Sequence, residues 1–79
     1  MKYDYLVDAT NETCPMPLLR AKMQLNKMQT GECVKVLASD AASVRDFASF
    51  ISLAGHELFS EHVCSPDGIE TYQYFIIKR

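Results

Sequence analysis

The chain has 79 residues, 48% of them hydrophobic and 23% charged, with three Gly, three Pro and a formal net charge of −2. This composition predicts one small domain over residues 1–79 with a thin two-layer core, and it excludes disordered and linker-rich chains. Ten acids against eight bases offer no basic stripe to displace counterions, so direct nucleic-acid binding is not expected.

Tyr3, Tyr5 and Val7 alternate along residues 3–8, which predicts a first strand; residues 9–13 form a polar loop. From Pro15 the period changes. Leu18, Ala21, Leu25 and Met28 make the stripe of an amphipathic helix, with Gly31 at its C-cap. Residues 33–38, Cys-Val-Lys-Val-Leu-Ala, are a second strand. Asp40 is the N-cap of a second helix whose stripe is Val44, Phe47, Ala48 and Ile51, and Gly55 closes it. Residues 58–64 are a third strand. Ser65-Pro66-Asp67-Gly68 is a turn, and residues 69–77 are a fourth strand.

The order is β-α-β-α-β-β. Two strand–helix–strand units followed by a hairpin predict a two-layer α/β sandwich: a four-stranded mixed sheet with both helices on one face. The other face stays partly open. It carries either Tyr72 and Tyr74 or the opposite set; periodicity does not choose.

Thr13-Cys14-Pro15-Met16-Pro17 places a cysteine at a helix start. The first turn of a helix has unpaired N–H groups and the positive end of the dipole, so a thiolate there is stabilised, and the thiolate is the nucleophile. Pro15 and Pro17 preset φ where helical N–H groups are not needed. The residue before a proline avoids the α region, so Met16 is either strained or is the N-cap of a helix beginning at Pro17. Pro17 stands where a CxxC motif has its resolving cysteine. The pattern therefore suits one sulfur that accepts a group and passes it on, rather than a dithiol oxidoreductase. Arg20, Lys22 and Lys27 add positive charge, with no acid between Pro15 and Thr30. The alternative is an inert, buried Cys14 with the prolines as helix starters.

Asp8, Cys14-Pro15-Met16-Pro17, Gly31-Glu32, Asp40, Arg45-Asp46 and Gly55-His56-Glu57-Leu58 together resemble the TusA/SirA family of small sulfur carriers over nearly the whole chain. The resemblance implies a βαβαββ sandwich similar to the C-terminal domain of translation initiation factor 3. Its sheet order would be 1-2-4-3, with the last strand antiparallel to the others. It implies a persulfide on Cys14, taken from a cysteine desulfurase or other persulfide donor and relayed to an acceptor protein thiol. Relatives serve tRNA thiolation, molybdenum cofactor supply or sulfur metabolism. It also implies partner contacts at Lys22, Asp40 and Arg45, while Met16 beside the cysteine offers a soft docking contact. The chain departs from the family pattern at Asn11, where glycine is usual, at Thr13, often basic, and at Ala41, often proline.

Cys33 and Cys64 fall in strands and read as small buried hydrophobes. The cysteines and His56 and His62 are too scattered for a zinc site, so neither metal nor cofactor is expected. The first 25 residues lack a basic start followed by an apolar run, and no stretch approaches a membrane span. A cytoplasmic monomer with reduced thiols is the expectation, acting as a sulfurtransferase-type relay without a substrate pocket. A non-catalytic interaction module on the same fold is the alternative.

Overall fold

The computed structural model describes residues 2–13, 15–64, 66, 68 and 70–79. The chain runs through β1 (Tyr5–Ala9), α1 (Met16–Leu25), β2 (Cys33–Ala38), α2 (Ser43–Ala54), β3 (Glu57–Cys64) and β4 (Glu70–Ile77). The sheet order is β1-β2-β4-β3. β1 and β2 are parallel, and β4 runs antiparallel to both β2 and β3. The α/β sandwich and the 1-2-4-3 order are therefore as expected.

Register decides which side chains form the core. Val7 lies beside Val36, which lies beside Tyr74, and Val34 lies beside Ile76. Side chains alternate along a strand, so these residues share one face. Ala21, Leu25 and Met28 pack on that face together with Phe47 of α2, so both helices cover the same side. The Phe47 ring stacks on Tyr74 with centroids 4.2 Å apart and planes 10° apart. Burying a side chain of this size contributes about 2–3 kcal/mol. The Tyr74 hydroxyl is 2.6 Å from Ser43 Oγ, so these two buried hydroxyls are each other's partners.

Tyr74 thus belongs to the covered face, as does Tyr72, which packs against the core. The open face carries the opposite set, including Leu6, Lys35, Phe59 and Phe75. Lys78 joins the layers at the far end. Its Nζ donates to the carbonyls of Leu25 and Met28, each at 2.7 Å, satisfying the C-terminal end of α1.

Several expectations need correction. Met16 is the first residue of α1, after Pro15 at the cap position, so it is not the N-cap. Gly31 does not cap α1, which ends at Leu25 with Asn26 as C-cap. Gly31 instead turns the chain into β2 at φ +94°, its amide donating to the Lys78 carbonyl at 2.8 Å. The buried side of α2 is Ser43, Phe47, Phe50 and Ile51, with Val44 and Ala48 exposed. The Ser43–Tyr74 hydrogen bond draws a polar residue inward and rotates the stripe. Gly55 does close α2, at φ +80° with its amide donating to the Ile51 carbonyl at 2.9 Å. Ser65, Asp67 and Ile69 of the expected turn and strand start lie outside the described residues.

Candidate functional site

Because β1 and β2 are parallel neighbours, both end at the same edge of the sheet, and both helices begin there. Cys14 itself lies outside the described residues. The segment leading to it is held by a set of specific bonds.

Asp8 closes β1 by accepting from the Thr10 hydroxyl at 2.6 Å and the Thr10 amide at 3.1 Å. These two bonds, the hydroxyl's foremost, hold the Asp8 carboxyl below its ordinary range, and Arg20 adds to the effect. Asn11 then adopts φ +69°, the left-handed conformation that asparagine tolerates better than other side chains with a Cβ. Asparagine thus takes the left-handed turn at the position where the family usually has glycine. The Asn11 amide donates to Ser39 Oγ at 2.9 Å, tying this loop to the one after β2. Arg20 reaches back from α1, donating to the Asp8 carbonyl at 2.8 Å and pairing with Glu12.

Past residue 14, the Met16 amide donates to the Thr13 carbonyl at 2.9 Å, and the Leu19 amide to the Pro15 carbonyl at 3.0 Å. Among the described residues no side chain caps α1 and no acid stands in its first turn. No carboxylate of that first turn offsets the partial positive charge at this helix end. Pro17 is buried, anchoring the first turn against the core.

Met16 is exposed at the start of α1. Asp40 accepts from the Ala42 amide at 3.0 Å, and its carbonyl accepts from the Ser43 amide at 3.0 Å. It thus forms the turn that feeds α2 rather than the cap adjoining the helix. Arg45 lines a shallow open groove over the first turns of α2, with Ala41, Ala42, Val44, Asp46 and Ala48. The Asn11–Ser39 bond places the Asp40 turn against the 9–13 loop, so Met16, Asp40 and Arg45 share one end of the molecule. Lys22 is further along α1, its ammonium 5.1 Å from the centre of the Phe50 ring of α2. Six residues from Met16 is about 9 Å of helix.

Periodicity missed the outer side of α1. Met16, Leu19 and Met23 fall at i, i+3 and i+7, and all three are exposed. It also missed Glu12 and Ser39 as loop anchors: the Asn11–Ser39 bond spans 28 residues, and the Arg20–Glu12 pair, eight residues apart, joins a loop to a helix, so neither shows in strand or helix periodicity.

The other two cysteines differ from each other. Cys33 is buried in β2, and that burial pushes its thiol above the ordinary value, with Asp4 adding to the rise. Cys64, expected to be buried, is exposed at the end of β3. Among the described residues no three His, Cys, Asp or Glu side chains converge as a metal site, and no helix is long and apolar enough to cross a membrane.

The architecture is that of the SirA-like α/β sandwich. The crystal structure of the SirA-like protein from Desulfitobacterium hafniense matches with a TM-score of 0.73 over 96% of this chain and 100% of that one, at 23% identity, a likeness of fold. Sequence then defines the family. The family model described as sulfurtransferase TusA matches residues 5–78. The sulfur carrier protein TusA of Allochromatium vinosum is 45% identical over 56 residues, 71% of this chain and 74% of the relative. The sulfur carrier protein TusA of Pseudomonas putida is 32% identical over 76 residues, 96% of this chain and 90% of the relative. The chain belongs to the TusA family.

Proposed function

We propose that this protein is a sulfur carrier that holds sulfane sulfur as a persulfide on Cys14. The observation that carries the reading is the start of α1. A Cys-Pro-Met-Pro sequence opens directly into a helix with no acid or side-chain cap in its first turn among the described residues. A sulfur anion beside that end is favoured.

The transfer balances in two steps. The Cys14 thiolate attacks the outer sulfur of a donor persulfide; the donor S–S bond breaks and the donor cysteine leaves as thiolate. An acceptor thiolate then attacks the outer sulfur of the Cys14 persulfide, and Cys14 departs as thiolate. No net oxidation occurs, so no cofactor is required. Pro17 in place of a second cysteine leaves no neighbouring thiol at that position to divert the sulfur into a disulfide.

The donor is a cysteine desulfurase or another persulfide-bearing protein, and the acceptor is a relay protein with a reactive thiol. The exposed Met16, Leu19 and Met23 supply a soft apolar strip along α1, the helix that follows the motif. Lys22, Asp40 and Arg45 supply charge on the two helices and the turn before α2, suiting brief, charge-steered encounters. A cytoplasmic setting keeps the thiols reduced between cycles.

Peptide-mapped alkylation at neutral pH tests the reading. Cys14 is expected to react about tenfold or more faster than exposed Cys64. Equal rates at the two cysteines contradict it.

A further inference from the structure

The open face of the sheet carries a pattern that complements itself. Cross-strand register aligns Phe59, Phe75, Lys35 and Leu6 in one row across β3, β4, β2 and β1. Glu61 and Gln73 stand opposite each other in the next row on that face, and Val63 lies one row further. Leu6 is 53% exposed, Phe59 46% and Val63 42%, so three large apolar side chains on one face stand in water. Such patches on small domains mark interaction surfaces.

Charge identifies the occupant. The Lys35 ammonium lies 5.3 Å from the centre of the Tyr3 ring and 5.5 Å from that of Phe75, held at the middle of the face. Glu61 has no hydrogen bond or ion pair among the described residues. Consider a two-fold axis lying in the plane of the face and passing between Phe75 and Gln73. It exchanges the positions of Lys35 and Glu61. The same rotation carries Leu6 close to Val63, and Phe59 close to Phe75. Cation then meets carboxylate twice, and apolar side chain meets apolar side chain.

We propose that this face is an isologous interface with a second copy of the chain, packed sheet against sheet. Strand spacing of about 4.8 Å and rise of about 3.3 Å give a face of about 430 Å² per copy, or about 860 Å² for the pair. That lies below the roughly 1,000 Å² of stable specific interfaces, so the dimer is a weak, reversible one; a dissociation constant on the order of 0.1 mM is expected. The helices, residues 9–13 and residues 15–16 remain on the outside of such a pair. This differs from the sequence expectation of a monomer and is independent of the sulfur chemistry.

Sedimentation equilibrium on the full chain, from about 10 μM to about 1 mM, tests it. The wild type is expected to pass from monomer to dimer across that range. Lys35→Glu and Glu61→Lys each place like charges against each other in both symmetric contacts, weakening association about tenfold. An equal mixture of the two variants restores both contacts, and the mixed dimer is expected within about threefold of wild-type affinity. A wild type that stays monomeric throughout overturns the proposal and assigns the face to a different occupant. A dimer unaffected by either reversal, or variants not rescued by mixing, also overturns it. Thermal unfolding of each variant checks that it is folded; Glu61 is exposed and makes no contact whose loss would unfold the chain.

Discussion

Arg20 and Glu12 are ion-paired across the connection between β1 and α1, so the segment leading to Cys14 is fastened to the helix that follows it. Arg20 also donates to the Asp8 carbonyl, which makes it a double anchor rather than a lone surface pair. Both side chains are partly exposed, so the pair alone is worth about 0.5–1 kcal/mol after solvent screening. Arg20→Gln is expected to lower thermal stability by about that amount and to slow sulfur loading of Cys14 several-fold. Arg20→Lys, which retains one charge without the planar fork, should fall between. Loading at the wild-type rate in Arg20→Gln would show that the anchor does not serve the site.

Asn11 provides a backbone test at φ +69°. Asn11→Gly is expected to leave stability within about 0.5 kcal/mol, because glycine takes this conformation without steric cost. Asn11→Ala should cost about 1 kcal/mol and Asn11→Val more. Urea unfolding of the three variants checks the ranking.

Ser43 and Tyr74 form the buried polar contact beneath α2. Ser43→Ala strands the phenol hydroxyl and should destabilise by about 1–3 kcal/mol; Tyr74→Phe strands the serine with a similar cost. The double variant should lose less than the sum, since neither partner then remains unpaired. A double-mutant cycle by chemical denaturation gives the coupling energy.

Alkaline pH should unfold the chain by a defined route. Burial raises the Cys33 thiol above 9.0 and the Tyr74 phenol above 10.0. For each, the folded state holds a proton that the unfolded state releases first. Stability is therefore fully present below about pH 9 and falls as pH rises through and beyond the unfolded values. Cys33→Ala should move the onset of the fall up by about one pH unit, measured by unfolding free energy against pH.

Much of this architecture is legible along the chain because the signals are local. Cys33–Ala38 is bounded by turn residues and is the strand expected. Gly55 sits where only a left-handed cap fits after an apolar stripe. Of the expected α2 stripe, Phe47 and Ile51 face the core and Val44 and Ala48 do not; Ser43 counts as polar in any periodicity, whereas its hydroxyl is satisfied by Tyr74, 31 residues away. Gly31 fails as a helix cap for a similar reason: its amide is committed to Lys78 at the far end of the chain. Cys64 reads as a core residue from its strand context, yet it stands at the last rung of β3, opposite Glu70, where it is exposed. The motif around Cys14 was visible as residue types. The loop geometry that frames it depends on Ser39, Glu12 and Arg20 meeting across the fold.

The central claim is tested most directly by intact mass measurement after incubation with a cysteine desulfurase, cysteine and pyridoxal phosphate. The account predicts a gain of one sulfur atom in the wild type, retained in Cys33→Ser and Cys64→Ser and lost in Cys14→Ser. A wild type that gains no sulfur, or a Cys14→Ser variant that still gains it, would contradict the account.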